Sequence, residues 1–376
     1  MLLENRLQEA QIAQAVEDSR VRIVDPSIRA AKPIKPNRTQ YIGFGLLIGL
    51  IVGVGMALLR ESIDRAIHTR EEMTQLTGVA SLGLIPHIES EHRLGETARR
   101  ARRRKANGIE GNILTIRSPR NPATEAYRTL RTNITFARAD APIKTLVFTS
   151  PTPGDGKSTT ASNLATTLAH QGLRVVLVDG DMRRGTLHDV FGIQRSPGLS
   201  SVLIGTAQFA DCVQTVSLGD LGSIGILPAG VFPPNPSELF ASRALSQLIA
   251  ELETKYDIVI FDSPPVNLVT DAAILGAKAG GVILIGRAGK TDKGAIAYAA
   301  EQLRNVRAPI LGTVLNDFDF RRDIRYSSYG TPGYYYYSSY GYGYGYGSGE
   351  GYGVAAKDVP RTAGRMSTSS RDKART

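Results

Sequence analysis

The feature that most constrains this chain is the run Thr145–Thr159, TLVFTSPTPGDGKST. A short apolar, β-branched stretch leads into a turn with two glycines, and a helical stretch follows from Thr160 to His170. A strand that feeds a helix through such a turn is the entry to a layered α/β fold. Gly154 and Gly156 let the backbone bend so that its N–H groups converge on an anion at the start of the helix. Lys157 adds a cation suited to phosphate oxygens, and Ser158 a hydroxyl suited to a divalent metal. The strict pattern G-x-x-x-x-G-K-[ST] is not met, because position 151 is proline.

From residue 113 to residue 320 apolar runs alternate with helical segments. The runs are Thr145–Ser150, Arg174–Asp181, Ile224–Gly230, Asp257–Pro265, Gly281–Ala288 and Ile310–Asp317. Continuous Val/Ile/Leu strands separated by helices predict a mostly parallel sheet covered by helices on both faces. The expected class is therefore α/β, with ligands at the carboxyl ends of the strands. Acidic residues fall at those ends. VVLVDGDMRR places Asp179 and Asp181 two apart, and IVIFDSPP places Asp262 before Pro264 and Pro265. A metal–nucleotide site needs carboxylates for the metal and one to accept a proton from the nucleophile.

Upstream, Tyr41–Leu59 is a 19-residue stretch without a charge, bracketed by Arg38 and Arg60. As a helix it spans roughly 28 Å, close to the ~30 Å hydrocarbon core of a bilayer. Its glycines suit a membrane helix better than a soluble one. The flanking Arg29, Lys32, Lys35 and Arg38 outnumber Arg60, Arg65 and Arg70. Taken alone, that count puts the N-terminus in the cytoplasm. A nucleotide-binding domain after the span requires the reverse, since ATP is cytoplasmic. Residues 1–24 show weak helical spacing, and Pro26, Pro33 and Pro36 stiffen the approach to the span. Residues 60–86 read as a short amphipathic helix and a strand ending at Pro86.

The net charge of +10 is uneven: Arg93–Arg138 holds twelve Lys/Arg against three Asp/Glu. Such an excess suits an anionic partner, nucleic acid or a membrane inner leaflet. The single cysteine, Cys212, excludes an internal disulfide and fits a reducing compartment. Beyond Phe320, eleven tyrosines (Tyr326, Tyr329, Tyr334, Tyr335, Tyr336, Tyr337, Tyr340, Tyr342, Tyr344, Tyr346 and Tyr352) are interleaved with glycine and serine. A tract of that composition is expected to be disordered.

The loop S-x-x-P-G-x-G-K-S-T, the D-x-D-x-R after an apolar strand and the apolar-D-x-P-P together resemble the bacterial tyrosine kinase (BY-kinase) family. These are the cytoplasmic kinase domains of polysaccharide co-polymerases. The resemblance covers roughly Pro26–Tyr352. It implies a P-loop NTPase fold that takes ATP and Mg²⁺. Pro153, Gly154, Asp155, Gly156, Lys157, Ser158 and Thr159 would cradle phosphate, with Arg183 and Asn316 completing the nucleotide site. Ser158, Asp179, Asp181 and Asp262 would serve the metal. Lys157 and the three aspartates would be catalytic, with Asp179 and Asp181 also serving the attacking tyrosine hydroxyl. Glu125, Arg128 and Arg131 resemble the family's E-x-x-R-x-x-R oligomerisation motif, and their spacing lines one helix face. Gly185 stands where a proline is common.

The implied function is a protein-tyrosine autokinase that modifies the tyrosines of its own tract and regulates exopolysaccharide or capsule polymerisation and export. Its implied partners are further copies of itself in a ring, the inner membrane, the polysaccharide export machinery and a phosphotyrosine phosphatase, with no nucleic acid. The implied organisation is 1–40 outside the cytoplasm, a span at 41–59, a basic juxtamembrane linker at 60–112, a kinase domain at 113–320, the tyrosine tract at 321–352 and a basic end at 353–376. Full-length co-polymerases have two spans around a large extracytoplasmic domain. One span here leaves open a fragment, a misassigned start or a lost part. Two other functions compete. A partitioning-type ATPase usually carries a second lysine five positions before Lys157, where Thr152 stands. A non-enzymatic assembly scaffold would use the aromatic tract for self-association.

Overall fold

The computed structural model describes residues 2–17, 37–87, 113–118, 121–137 and 143–319. The proline-containing approach at 18–36, most of the basic linker and the tyrosine tract lie outside the described residues. The chain divides into two units, Met1–Asp64 and Arg65–Thr376.

The first unit holds helix α1 (Leu2–Glu17) and helix α2 (Arg38–Ile63). Within α2, Arg38–Met56 is long and apolar enough to cross a membrane, and none of it is buried by protein.

The second unit is built on an eight-stranded sheet. Its strands are β1 (Ser81–Pro86), β2 (Thr145–Thr149), β3 (Val175–Asp179), β4 (Gln214–Ser217), β5 (Ser223–Leu227), β6 (Ile258–Asp262), β7 (Gly281–Arg287) and β8 (Ile310–Phe318). They lie in the order β1-β8-β7-β2-β6-β3-β5-β4. All neighbours are parallel except β4, which runs antiparallel to β5 at the edge. The six expected strands form the inner part of this sheet. The strand read at Pro86 becomes β1 and pairs with β8, so the segment given to the juxtamembrane linker supplies an edge of the sheet. β4 was not expected: at four residues, three of them polar, it carries too little pattern to register.

Alternation along each strand divides the core. Val147, Val176, Val178, Val259, Phe261 and Leu284 face one side. Helices α3 (Arg70–Thr77), α6 (Arg243–Lys255), α7 (Asp271–Lys278) and α8 (Lys293–Asn305) supply the cover there through Met73, Leu248, Leu275 and Ile296. Leu146, Phe148, Leu177, Ile260 and Ile283 face the other side, packed by α4 (Pro122–Phe136) and α5 (Lys157–Ala169) through Tyr127, Leu130, Leu164 and Leu168. Burial on both faces is what a parallel sheet of continuous apolar strands requires. Local signals set the helix ends. Asn121 caps α4 by accepting from Ala123 N–H at 2.9 Å, with Pro122 in the first turn. Thr69 and Glu72 form a reciprocal capping box on α3.

Candidate functional site

The carboxyl ends of β2, β6 and β3 lie side by side in the middle of the sheet. In the parallel register Asp179 is paired with Asp262, and Asp262 with Phe148. Three acidic side chains are thereby carried to the mouth of the phosphate loop. Lys157, the first residue of α5, places Nζ 3.7 Å from both Asp181 Oδ2 and Asp262 Oδ1, and donates to Ser158 Oγ at 3.2 Å. Burial would lower the Lys157 pKa, but the charges of Asp262, Asp181 and Asp179 outweigh it and raise the value.

The three aspartates are not equivalent. Asp179 is fully buried, and main-chain N–H groups engage both of its oxygens: Asp181 at 3.3 Å on Oδ1 and Leu187 at 3.1 Å on Oδ2. Burial, reinforced by the nearby charge of Asp262, pushes its pKa up to about 8. Asp181 accepts from Arg183 N–H (3.2 Å) and Arg184 N–H (2.9 Å) on Oδ1 alone, which leaves Oδ2 toward Lys157. Asp262 Oδ1 is buried and has no hydrogen-bond partner. Burial raises the Asp262 pKa against the opposing effect of Lys157. Gly185 fits this packing, because a Cβ there would fall 2.6 Å from Asp179 Oδ2.

The loop itself is tied from beneath. Gly154 and Gly156 both take positive φ, 84° and 97°, a conformation that side chains disfavour. Asp155 is buried, and its Oδ2 accepts from both the N–H and the hydroxyl of Thr152 at 2.9 Å. Its Oδ1 accepts from the Thr291 hydroxyl at 2.8 Å. Asn316 Nδ2 donates to the Asp155 carbonyl at 2.9 Å, and Arg287 Nη1 to the Gly154 carbonyl at 3.3 Å. Pro153 and Thr159 are exposed on the loop and the first turn of α5. Beside the loop, at the ends of β1, β7 and β8, a cavity of about 400 Å³ is lined by His87, Arg287, Gly289, Lys290, Asp317 and Asp319.

Arg183 lies apart from the phosphate loop's hydrogen bonds. Its Nε meets Asp271 Oδ2 at 2.8 Å, and its Nη2 meets Ser237 Oγ at 3.2 Å. Glu125 and Arg128 pair with each other on the exposed face of α4. Arg131, the third member of that motif, turns inward and donates to the Thr167 carbonyl at 3.3 Å. The eleven tract tyrosines lie outside the described residues.

The sequence reading did not single out Thr291, Arg287 or Asp271. Arg287 ends β7 and was legible by the rule that put the aspartates at strand ends. Thr291 and Asp271 sit in ordinary loop and helix-start contexts and give no signal of their own. The residues just before α3 reach this region as a strap. Ile67 N–H donates to the Thr291 carbonyl at 2.9 Å, Gly289 N–H to the Ile67 carbonyl at 2.7 Å, and Lys293 N–H to the Arg65 carbonyl at 2.8 Å. Lys293 Nζ meets Glu72 Oε1 at 2.7 Å.

Two family models match the chain: "G-rich domain on putative tyrosine kinase" over residues 1–62, and "AAA domain" over residues 143–286. Tyrosine-protein kinase YwqD of Bacillus subtilis is 39% identical over 230 residues, which is 61% of this chain and 96% of YwqD. Tyrosine-protein kinase Wzc of Salmonella typhimurium is 32% identical over 340 residues, 90% of this chain and 46% of Wzc. Among solved structures, the BceF tyrosine kinase domain is 37% identical with a TM-score of 0.59, covering 67% of this chain and 99% of that domain. The chain spans less than half the length of the longer curated relatives, 44% of the first of them.

Proposed function

The chain belongs to the bacterial tyrosine kinase family, and on that premise we propose that it is an ATP-dependent protein-tyrosine autokinase acting on Tyr326–Tyr352 of its own sequence. One observation carries this reading: a single lysine held 3.7 Å from two buried carboxylates at the mouth of a glycine loop. The loop N–H groups and Lys157 bind the β and γ phosphates of ATP, and the cavity beside Asn316 takes the nucleoside. The γ-phosphorus forms a bond to the phenolic oxygen as its bond to the β-phosphate oxygen breaks. Asp181 Oδ2, the oxygen left free of main-chain donors, accepts the phenolic proton. Asp179, saturated by N–H groups, holds the turn that aims Asp181.

The residues fit Mg²⁺. The Ser158 hydroxyl and Asp262 Oδ1, which has no hydrogen-bond partner, would supply hard oxygens beside Lys157 Nζ. When bound, the ion would neutralise phosphate charge that one lysine cannot balance.

The apolar helix α2 anchors the chain in the inner membrane, with the second unit in the cytoplasm. The exposed Glu125–Arg128 pair meets a neighbouring subunit of a homo-oligomer, whereas Arg131 serves its own fold. Replacing Glu125 and Arg128 by alanine should therefore lower the oligomer mass read by light scattering, while Arg131→Ala should lower Tm. The setting is polysaccharide polymerisation and export, opposed by a phosphotyrosine phosphatase.

The test is phosphosite mapping of the full chain in detergent micelles with Mg·ATP. Phosphate is expected in Tyr326–Tyr352. Among the described tyrosines of the second unit, Tyr127 is fully buried and Tyr298 is half exposed. Phosphate confined to Tyr298 would overturn the assignment of the tract as acceptor.

A further inference from the structure

Outside α1 and α2, seven large apolar side chains stand exposed among the described residues, and three of them, Val231, Phe232 and Leu268, lie on just two loops. Those loops follow β5 and β6, the two neighbours of β3. They therefore rise on either side of the strand that delivers Asp179 and Asp181. The three loops are braced together. Arg183, from the loop after β3, binds the fully buried Asp271 after β6 and Ser237 after β5, and the Ser237 hydroxyl donates to Asp271. The Arg195 guanidinium lies 4.7 Å from the centroid of the Phe232 ring. Exposed apolar side chains are individually ordinary, but three on the two loops that flank the strand carrying Asp179 and Asp181 mark a surface that meets something apolar.

We propose that Val231, Phe232 and Leu268 form the acceptor subsite of the kinase, receiving the ring of a tyrosine from the tract Tyr326–Tyr352. The inference rests on the kinase reading above and adds to it what selects the acceptor. A tyrosine has the required two ends: an apolar ring for the rim and a hydroxyl that extends past it toward Asp181. The Arg195 cation on the Phe232 ring favours an electron-rich aromatic partner and disfavours a basic peptide. The tract, glycine- and serine-rich with a single glutamate after its first tyrosine and no basic residue, meets both conditions.

Chain geometry points to the same occupant. The described chain leaves the sheet at Asp319, one residue past β8, on the same carboxyl edge as the rim. Four strand steps separate β8 from β3, about 19 Å at ~4.8 Å per step. About fifteen residues lie between Asp319 and Tyr334, a length of chain that spans at most roughly 50–54 Å. Tyr326 is only about seven residues away, at most roughly 23–25 Å, which leaves almost no slack over the distance to β3. Tyrosines from Tyr334 onward can thus reach the rim of their own chain, and the same tract from a second copy meets no such limit.

The test uses the full chain in detergent micelles with Mg·ATP and a synthetic peptide, Gly-Tyr-Tyr-Tyr-Tyr-Ser-Ser, matching residues 333–339. Phe232→Ala and Leu268→Ala remove exposed surface and leave the core intact. Each should raise the peptide KM, and the double variant should raise it about tenfold, with kcat at saturating peptide retained. Phe232→Tyr should restore the original KM. A peptide KM within about twofold of the unsubstituted chain, or a KM for ATP that rises in parallel, overturns the subsite. Absence of phosphotyrosine from the unsubstituted chain overturns the kinase reading itself, and the subsite with it.

Discussion

Asp179, Asp181 and Asp262 share one lysine, whereas Glu72 and Asp317, on the flank of the same sheet, each have a cation of their own. The consequence is opposite in sign. In the centre, burial and mutual repulsion raise the pKa values of Asp179 and Asp262. On the flank, burial is outweighed. Main-chain N–H groups and Lys293 lower Glu72, and His87 and Arg287 lower Asp317. Compensated charge holds a structure together, while uncompensated buried charge is retained at a cost and marks a place where a further ligand is to arrive. The flank is scaffold for the loop, and the centre is a site left short of positive charge.

Lys157→Met should break this contrast most severely, since it removes the cation that Asp181 and Asp262 share. Phosphotransfer is expected to fall by at least ~10²-fold, in line with the loss of one electrostatic stabiliser. Phosphotyrosine at the unsubstituted level would mean that another group carries the transferring charge. Asp262→Asn should also cost about 10²-fold in transfer, but with a stability signature that sets it apart. It relieves a buried carboxylate oxygen that has no hydrogen-bond partner, so Tm of the nucleotide-free chain should rise by roughly 2–4 °C. A lower Tm would show that the charge of Asp262 is already compensated and that the centre resembles the flank.

Thr291→Val probes the connection between the two regions. The Thr291 hydroxyl is a direct flank contact to the buried Asp155 carboxylate, and its loss leaves one oxygen without that donor. A hydrogen bond of this kind contributes about 1 kcal/mol, so ADP affinity should weaken roughly fivefold by calorimetric titration. Unchanged affinity would sever the strap from the phosphate loop.

The two regions were unequally legible in the sequence. The centre could be read because each of its parts announces itself locally: two glycines and a lysine after an apolar run, and aspartates that end other apolar runs. Parallel register then brings Asp179 level with Asp262 without further instruction. The distinct roles of Asp179 and Asp181 could not be read, because they depend on which main-chain N–H groups turn back onto each carboxylate. The flank depends on contacts across long separations: Glu72 with Lys293, Thr291 with Asp155, His87 with Asp317. No spacing rule reports these pairs. Arg183 shows the limit in another way. Its position after Asp181 suggested the nucleotide, but a buried aspartate eighty-eight residues onward engages it instead. The strands themselves were legible wherever they were apolar along their whole length, and β4, polar and at the edge, was not.

The smallest expected effect is a difference in pH response, and it tests the comparison directly. Asp179 has a folded-state pKa of about 8, above the ~4 of an unfolded aspartate. Between those values the folded chain holds a proton that the unfolded chain has released, so stability falls as pH rises from about 4 to about 8. Asp262 acts in the same direction. Glu72 and Asp317 have lowered folded values. Their contribution is present above about pH 4.5 and disappears as pH falls through the folded values. Without nucleotide or magnesium, Tm should therefore decline from about pH 6 to about pH 8 on account of the centre, and decline again below about pH 4.5 on account of the flank. Asp179→Asn should flatten only the first decline. Glu72→Gln should flatten only the second, and by little, because the partly exposed Glu72–Lys293 pair is screened by solvent. Thermal unfolding of the three chains across that range decides the matter. A Tm that climbs from pH 6 to pH 8 in the unsubstituted chain, or a Glu72→Gln variant that alters the alkaline limb, would show that the two acidic groups do not differ in the way their surroundings require.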